Sequence, residues 1–152
     1  MDTLSEERVR ALLEELLFAD IAVVSDGAPY VTPVSFVRRD EALFFRCGPG
    51  ERVEALRSDP RACLSLVRFY EETGEWESVV VRGEIEFIDD SELLADVTAL
   101  LLSKYRRYEP AMGVALPEVP DDDAVTFSMR LDDVTGRSSG RSIAPRTRPG
   151  RL

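Results

Sequence analysis

The chain has no histidine, and only two of its 152 residues are cysteine. Without an imidazole, Ser-His-Asp catalysis, Cys-His catalysis and histidine-ligated haem are excluded for this chain alone. Cys47 and Cys63 lie in strand-like segments and lack the spacing of a zinc site. We therefore interpret both thiols as core residues and expect no metal site.

Positive charge and long apolar runs are also scarce. Lysine and arginine number 19 against 29 acidic residues, which gives a formal charge of -10. This charge repels phosphodiester backbones and anionic lipids, so we expect neither nucleic acid nor membrane as a partner. No run approaches the roughly 20 apolar residues of a membrane span, and the N-terminal MDTLSEERVR contains no apolar signal region. We expect a cytoplasmic protein.

Enough apolar residues are present for one core. They make up 44% of the sequence, and a chain of this size buries roughly 68–70% of the surface that its unfolded form exposes. We expect a single domain over residues 1–136 and a basic tail over residues 137–152. The Arg, Ser, Pro and Gly composition of the tail is typical of a solvated terminus, and a basic hook is the alternative.

Hydrophobic periodicity predicts three helices and six strands. The first helix begins at a T-x-x-E capping box at Thr3 and ends near Phe18. The second spans residues 51–58, and the third runs from a cap at residues 89–91 to Tyr108. The strands span residues 21–25, 30–38, 42–47, 62–70, 78–88 and 125–131, and residues 109–123 form a loop. This order favours an α+β fold, mainly antiparallel, in which a small barrel or bent sheet carries helices on its outside. We expect the third helix to cover one barrel mouth.

The predicted strand over residues 30–38 is apolar on both of its faces. One face carries Tyr30, Thr32, Val34 and Phe36, and the other carries Val31, Pro33, Ser35 and Val37. In an antiparallel sheet, a strand buried on both faces needs a second cover besides the barrel interior. A second subunit would supply it, so we expect a homodimer.

The loop Gly48-Pro49-Gly50 connects the predicted hairpin to the second helix. Its glycines let backbone N–H groups converge, and the first N–H groups of a helix have no intrahelical partner. Arg52 lies in the first turn of that helix, where a guanidinium can bind phosphate oxygens. The stretch is either a phosphate-binding site or an ordinary connection between strand and helix with a solvated arginine.

Three stretches of the chain resemble a known family. DGAPYVTPVSFV, LFFRCGPGERVEALRSDP and ESVVVRGEIEFIDD follow one another as in the FMN-binding split barrels related to pyridoxamine 5'-phosphate oxidase. The similarity is greatest to their nitroimidazole-resistance-like branch and covers residues 21–90. It implies a six-stranded split β-barrel with helices on the outside, bound FMN and a cofactor site shared between two subunits.

The resemblance also implies contacts to the flavin ring. The backbone of Val34, Ser35 and Phe36 would lie along the ring, and Ser78 would reach it from the other subunit. Judged without the resemblance, Ser35 and Ser78 are equally well explained as small residues tolerated on a crowded strand face.

Three further residues would hold the ribityl phosphate. They are Phe45 and Arg46, at the end of the strand predicted over residues 42–47, and Arg52 in the helix that follows. Judged without the resemblance, Arg46 is a solvated strand end.

The catalytic residues are left unassigned by two departures from the family. The basic residues that bind pyridoxal phosphate in the oxidase cannot be placed on SSGRSIAPRTRPGRL, and the histidine typical of the nitroimidazole-resistance branch is absent. An oxidoreductase that passes electrons between bound flavin and a small molecule is the first interpretation. A deazaflavin-dependent reductase and a module that binds flavin or another phosphorylated ligand without turnover are the alternatives. FMN is the better electrostatic match, because its single phosphate brings less negative charge to a protein at -10.

Overall fold

The computed structural model describes residues 1–107 and 123–140. The helices are α1 (Glu6–Glu15), α2 (Glu51–Ser58) and α3 (Ser91–Arg106). The strands are β1 (Asp2–Thr3), β2 (Phe18–Ser25), β3 (Ala28–Arg39), β4 (Ala42–Cys47), β5 (Arg61–Tyr70), β6 (Glu75–Phe87), β7 (Val125–Arg130) and β8 (Asp133–Ser138). No helix within these ranges is long and apolar enough to cross a membrane. The loop predicted over residues 109–123, apart from Asp123, and the tail beyond residue 140 lie outside the described residues.

Six of the strands form a closed antiparallel ring in the order β6-β5-β2-β3-β4-β7, with β7 pairing back to β6. Outside the ring, β8 pairs with β6 and β1 pairs with β8. The predicted fold class is confirmed: the protein is α+β, mainly antiparallel, and built on a six-stranded barrel with helices on its outside.

The barrel is split where β3 and β6 change partners. β3 pairs with β2 from Ala28 to Ser35 and with β4 from Phe36 to Arg39. β6 pairs with β8 from Glu77 to Arg82 and with β7 from Ile85 to Phe87. From Ala28 to Ser35, the edge of β3 that faces away from β2 therefore has no strand partner in the described part of the chain.

The barrel interior is the main core. Its large, fully buried side chains include Ile21, Phe36, Leu43, Phe45, Leu64, Val79, Val81, Phe127 and Met129. The rings of Phe45 and Phe127 are stacked with centroids 5.0 Å apart. α1 adds Leu12 and Leu13 to the same cluster. Each such side chain stabilises the fold by about 1.5–3 kcal/mol.

α3 packs against the outside of β3 and β4. Its Val97 and Leu101 form a second cluster with Val37 of β3 and Phe44 of β4. The main core thus takes its helical residues from α1 and α2, whereas α3, which was predicted to cover a barrel mouth, packs its buried Val97 and Leu101 in the second cluster. α3 covers the outer face of β3 only at the C-terminal end of the strand. Val31, near the other end of that face, is 58% exposed.

The first 18 residues differ from the prediction. Ser5, not Thr3, caps α1, since its hydroxyl accepts a hydrogen bond from the backbone N–H of Arg8 at 3.2 Å. Thr3 instead pairs with Arg137 of β8. α1 ends at Glu15, because Phe18 already begins β2 and pairs with Ser35. Strand pairing with distant residues overrides the local helical pattern here.

The prediction missed β8 and made the strand over residues 125–131 the last one. β8 follows β7 after two residues and pairs along β6. α1 packs directly on it at Gly136, where an added Cβ would lie 2.6 Å from Val9 Cγ2 and 2.9 Å from Leu4 Cβ. The boundary predicted between domain and tail, after residue 136, falls inside this strand.

The turns of the first two hairpins lie where they were predicted. Asp26 and Gly27 both have positive φ angles, 49° and 76°, which is the geometry of a type I′ turn. Asp40, between β3 and β4, has a φ of 52°, a conformation that aspartate tolerates better than most residues.

Candidate functional site

The loop Gly48-Pro49-Gly50 leads into the N-terminus of α2, as predicted. Gly50 is the N-cap residue, and no side chain caps the helix. A Cβ at Gly48 or Gly50 would meet no described atom within 4 Å. The loop is therefore not crowded by described side chains, and it leads directly to the helix end whose first backbone N–H groups have no intrahelical partner and can bind an anion.

The first turn of α2 carries charges of both signs. The Glu51 carboxylate accepts a hydrogen bond from Ser25 Oγ at 2.9 Å, next to the β2–β3 turn. Arg52 lies against β3, where its Nη1 donates to Thr32 Oγ1 at 2.8 Å and to the Pro33 carbonyl at 2.9 Å. These two bonds attach α2 to the segment of β3 that does not pair with β4.

The Arg52 guanidinium also has one donor without a partner in the described part of the chain. Its Nε is buried and has no hydrogen-bond acceptor among the described residues. No carboxylate in residues 1–107 or 123–140 forms an ion pair with it. A half-buried cation with an unused donor and no counter-charge suits an anionic ligand, because burial of an unpaired charge is otherwise costly.

The predicted ring-binding residues lie where β3 changes partners. Val34 and Phe36 are 3% and 0% exposed and point into the core. Ser35 is half-buried and lies on the opposite face of the strand. A ligand outside the barrel would therefore meet the strand backbone and the Ser35 hydroxyl, but not the side chains of Val34 and Phe36.

The two predicted phosphate residues on β4 differ in their surroundings. Phe45 is fully buried and stacked on Phe127, so its side chain lines no surface site. Arg46 is half-buried. The β3–β4 ladder ends at the pair of Phe36 and Phe45, whose side chains point inward, so alternation turns both Ser35 and Arg46 to the outer side of the barrel. Arg46 and Ser35 thus share the outer side of the barrel, and Phe45 offers a ligand only its backbone.

Ser78 lies on another part of the barrel. It is opposite Val67 of β5 and Arg137 of β8. β5 and β2 separate its strand, β6, from β3. With about 4.8 Å between neighbouring strands, Ser78 and Ser35 are roughly 14 Å apart across the sheet. A single chain does not bring both serines to the same part of a ligand ring.

The barrel surface between these two serines is apolar and exposed. We call it the outer apolar face. Its exposed side chains are Phe18 (58%), Val31 (58%), Val67 (57%) and Phe69 (60%). The register places Phe18 directly opposite Ser35, and Val67 directly opposite Ser78. Exposed apolar side chains grouped on one side of a sheet are typical of an interaction site.

A charge network holds the start of β6 against α1. Arg8 donates to the Glu77 carboxylate from Nε at 2.9 Å and from Nη2 at 2.7 Å, and Tyr70 donates to Glu77 Oε2 at 2.6 Å. Glu15 forms ion pairs with both Arg8 and Arg68. The hydrogen bond from Arg8, and after it the one from Tyr70, lowers the pKa of Glu77 although burial opposes the shift.

Lys104 is a buried cation that the sequence analysis missed. Its side chain is 3% exposed, and its Nζ donates to the Leu13 carbonyl at 3.1 Å and to the Phe36 carbonyl at 3.0 Å. Nζ also lies 4.0 Å from the centroid of the Phe36 ring. Burial lowers the pKa of Lys104 to about 8. The available signal was its spacing, three residues after the buried Leu101 on one face of α3.

Both cysteines are free thiols and half-buried. Cys47 packs against the main core, whereas Cys63 lies on the outer face of β5, opposite Ala22. In the part of the chain that the structure describes, no three residues of the metal-binding types are grouped to hold an ion.

Comparison with known proteins decides the family. The sequence model of the family described as pyridoxamine 5'-phosphate oxidase matches residues 5–138. The match runs from the cap of α1 to the end of β8. The chain belongs to the pyridoxamine 5'-phosphate oxidase family. The resemblance seen in the sequence is confirmed, and the match extends beyond residues 21–90 on both sides.

Three individual proteins are similar to this one over most of the chain. An uncharacterized protein of Rhizobium meliloti is 25% identical over 142 residues, which cover 90% of this chain and 93% of that protein. An FAD-binding protein of Mesorhizobium loti has a TM-score of 0.72 at 24% identity, over 90% of this chain and 95% of that one. A candidate 5-nitroimidazole antibiotic resistance protein of Bacteroides thetaiotaomicron has a TM-score of 0.73 at 19% identity, over 90% and 86%. The two solved structures share the fold described above.

Proposed function

We propose that this protein binds FMN and is an oxidoreductase that passes electrons between the bound flavin and a small molecule. The observation that carries the proposal is the state of Arg52. Its Nη1 is attached to β3, its Nε has no acceptor among the described residues, and no described carboxylate balances its charge. The structural neighbour from Mesorhizobium loti, described as FAD-binding, supports a flavin as the ligand.

The phosphate of the cofactor is held at the start of α2. The uncapped N–H groups of the helix and the Arg52 guanidinium supply donors, and the positive end of the helix dipole adds to them. Arg46 brings a second positive charge to the face on which Ser35 lies. Glu51 opposes this charge balance, and its carboxylate is engaged by Ser25 Oγ.

The flavin ring lies along β3 beside Ser35. When bound, the flavin supplies the electron-transfer chemistry, and the protein positions and tunes it. The edge of β3 that lacks a strand partner offers backbone donors and acceptors, and Ser35 offers a hydroxyl. The outer apolar face provides the apolar wall that ligand sites of this kind require.

A second copy of the chain completes the site. Ser35 and Ser78 are too far apart to meet one ring within a single chain, so Ser78 of the partner subunit makes the second contact. The same association buries the outer apolar face, which a lone chain leaves in water. An obligate homodimer interface would be expected to bury more than about 2,000 Å² in total.

FMN is preferred over larger flavin-type cofactors because little positive charge is available. One phosphate is matched by the start of α2 and one or two arginines, whereas FAD or a polyglutamylated deazaflavin brings more negative charge to a chain at -10. Four arginines follow residue 140 in the sequence. They are the feature of the chain that could favour a cofactor with a longer anionic extension.

Competition binding tests this choice of cofactor. FMN, FAD and the deazaflavin are titrated against the full-length protein and against a chain that ends at Gly140, so that β8 is kept whole. We expect FMN to bind most tightly to both forms. Preference for FAD or the deazaflavin in the full-length protein would overturn the assignment, and loss of that preference in the shortened chain would locate its cause in the tail.

A flavin-binding module without turnover is the second candidate. The observation that favours it is the absence of histidine, because no side chain is assigned as the proton donor of a reaction. The two functions differ in one assay: the protein with reduced flavin is mixed with small-molecule electron acceptors, and reoxidation is followed by absorbance. Reoxidation faster than that of free reduced FMN indicates an oxidoreductase, and a rate no faster for any acceptor indicates a binding module.

A further inference from the structure

Lys104 is a cation buried at the junction of three elements. From α3, it contacts the carbonyl of Leu13 in the last turn of α1 and the carbonyl of Phe36 in β3. The Leu13 carbonyl is one of the last four of α1, which have no intrahelical partner. The Phe36 ring, 4.0 Å from Nζ, adds a cation–π contact. These contacts offset part of the cost of removing an ammonium group from water.

The charge of Lys104 is not neutralised by an ion pair. No carboxylate in residues 1–107 or 123–140 lies within ion-pair distance of Nζ. The charged groups that face it are Glu14 of α1, which favours its protonation, and Arg107 at the end of α3, which opposes it. Glu14 is itself bound by Arg38 of β3 at 2.9 Å. Glu14 therefore offsets the positive charge of Lys104 only in part.

The position of this charge on β3 is specific. The ladder between β2 and β3 ends with the pair of Phe18 and Ser35. Phe36, the next residue, has its carbonyl bound by Lys104 just beyond the last residue that β2 pairs. Lys104 thus fixes the backbone at the point where β3 changes partners. That point is also the stretch along which the flavin ring is placed by the proposed function.

We propose that Lys104 is a positioning residue of the flavin site, which fixes the backbone of β3 at Phe36 and keeps a positive charge behind the strand that carries the ring. This inference depends on the proposed flavin binding. Reduction adds negative charge to a flavin, so a fixed positive charge nearby raises its reduction potential. Lys104 thereby favours the reduced form of the bound cofactor.

The test compares Lys104→Met with Val97→Ala in the full chain. Met has a similar length but no charge and no donor. Val97 is fully buried on the same helix, in the cluster with Val37 and Phe44, and contacts neither α1 nor the β3 backbone through a hydrogen bond. Both changes weaken the packing of α3, so Val97→Ala controls for loss of stability. The reduction potential of bound FMN is measured by dithionite titration with an indicator dye.

We expect Lys104→Met to shift the equilibrium between reduced and oxidised flavin on the order of tenfold toward the oxidised form, since loss of a unit charge close to a bound group in a protein has an effect of this size. A tenfold change corresponds to about 30 mV for a two-electron couple. Val97→Ala should keep the wild-type potential. The difference between wild type and Lys104→Met should be largest at pH 7 and should disappear well above pH 8, where the lysine is neutral.

Lys104→Gln, which keeps one donor but no charge, is the second neutral variant should Lys104→Met not fold. Equal potentials in wild type and the neutral variants at pH 7 would overturn the inference, as would an equal shift in Val97→Ala. If neither neutral variant folds, a wild-type potential that follows that of free FMN through pH 8, without a step of its own, overturns it. A wild-type protein that takes up neither FMN nor FAD would refute the proposed function itself, so the two failures are distinguishable.

Discussion

Replacing Arg52 by alanine is the sharpest test of the proposed phosphate site. The change removes the half-buried guanidinium whose Nη1 binds Thr32 Oγ1 and the Pro33 carbonyl at 2.8 and 2.9 Å. A hydrogen bond to a charged group contributes about 1.5–3 kcal/mol, so we expect FMN to bind about ten- to a hundredfold more weakly. Loss of the two bonds to β3 should also lower the free energy of unfolding by about 1–3 kcal/mol.

Arg57→Ala is the matched control for this experiment. Arg57 lies on the same helix and carries the same charge, but its guanidinium is exposed and stacks over the Phe87 ring at 4.5 Å. Both variants change the net charge equally, so a general electrostatic effect would act on both. Arg52→Lys keeps the charge but not the two-pronged geometry, and it should bind FMN with intermediate affinity.

Fluorescence titration with FMN, at a temperature where all variants are folded, measures the affinities, and thermal unfolding measures the stabilities. The reasoning is refuted if Arg52→Ala binds FMN as tightly as wild type. It is also refuted if Arg57→Ala loses as much affinity as Arg52→Ala, because the effect would then come from overall charge and not from the start of α2.

Three further outcomes are expected. Val67→Asp places a charge on the outer apolar face and should convert the homodimer to monomers in light scattering at about micromolar concentration. Leu100→Asp, at a 39% exposed position of α3, should leave the dimer intact. A monomeric wild type with bound cofactor would exclude the homodimer. Glu77→Gln should lower the free energy of unfolding above about pH 4.5, the ordinary pKa of the group. The loss should vanish as acid protonates the wild-type carboxylate, because the pKa of Glu77 is lowered in the folded state. Denaturant unfolding from pH 3 to 7 measures this loss, and a loss independent of pH would contradict the prediction. The free energy of unfolding of wild type, minus that of Lys104→Met, should rise between about pH 8 and 10.5. The pKa of Lys104 in the folded state lies below its ordinary value of 10.5, so the unfolded state binds more protons in this pH range. A flat or falling difference in the same unfolding assay would show that the charge is not buried at a cost.

The barrel could be predicted from sequence where local signals agreed with each other. Asp26-Gly27 and the turn at Asp40 mark hairpins, and alternation along β6 identifies Val79, Val81 and Ile85 as core residues. The bounds of β4 and α2 match the prediction to the residue. In these segments the turn residues, the periodicity and the tertiary pairing all favour the same structure.

Elements that depend on distant partners could not be predicted. β8 has little apolar alternation and forms because β6 offers a free edge from Glu77 to Arg82. Thr3 has the pattern of a helix cap, but it is drawn into β1 by pairing with Arg137. The pairing of Phe18 with Ser35 likewise ends α1 earlier than its own sequence indicates.

The candidate site was predictable in its parts but not in its contacts. Glycine-loop chemistry pointed to Arg52, and the resemblance added Ser35 and Arg46, which strand alternation turns to the outer side of the barrel. That Phe45 and Phe36 are closed off in the core follows from packing across the barrel, which sequence spacing does not encode. Lys104 was missed for the opposite reason, because a lysine in an apolar stripe is normally explained by a side chain that reaches water.

The absorption spectrum of the full-length protein, purified and then incubated with FMN and passed through a desalting column, tests the central claim most directly. The account predicts that the protein fraction carries the visible absorption of oxidised flavin, close to one FMN per chain, and that Arg52→Ala carries much less under the same conditions. A wild-type fraction that stays colourless would contradict the account, because the unbalanced Arg52 and the uncapped start of α2 would then have another role.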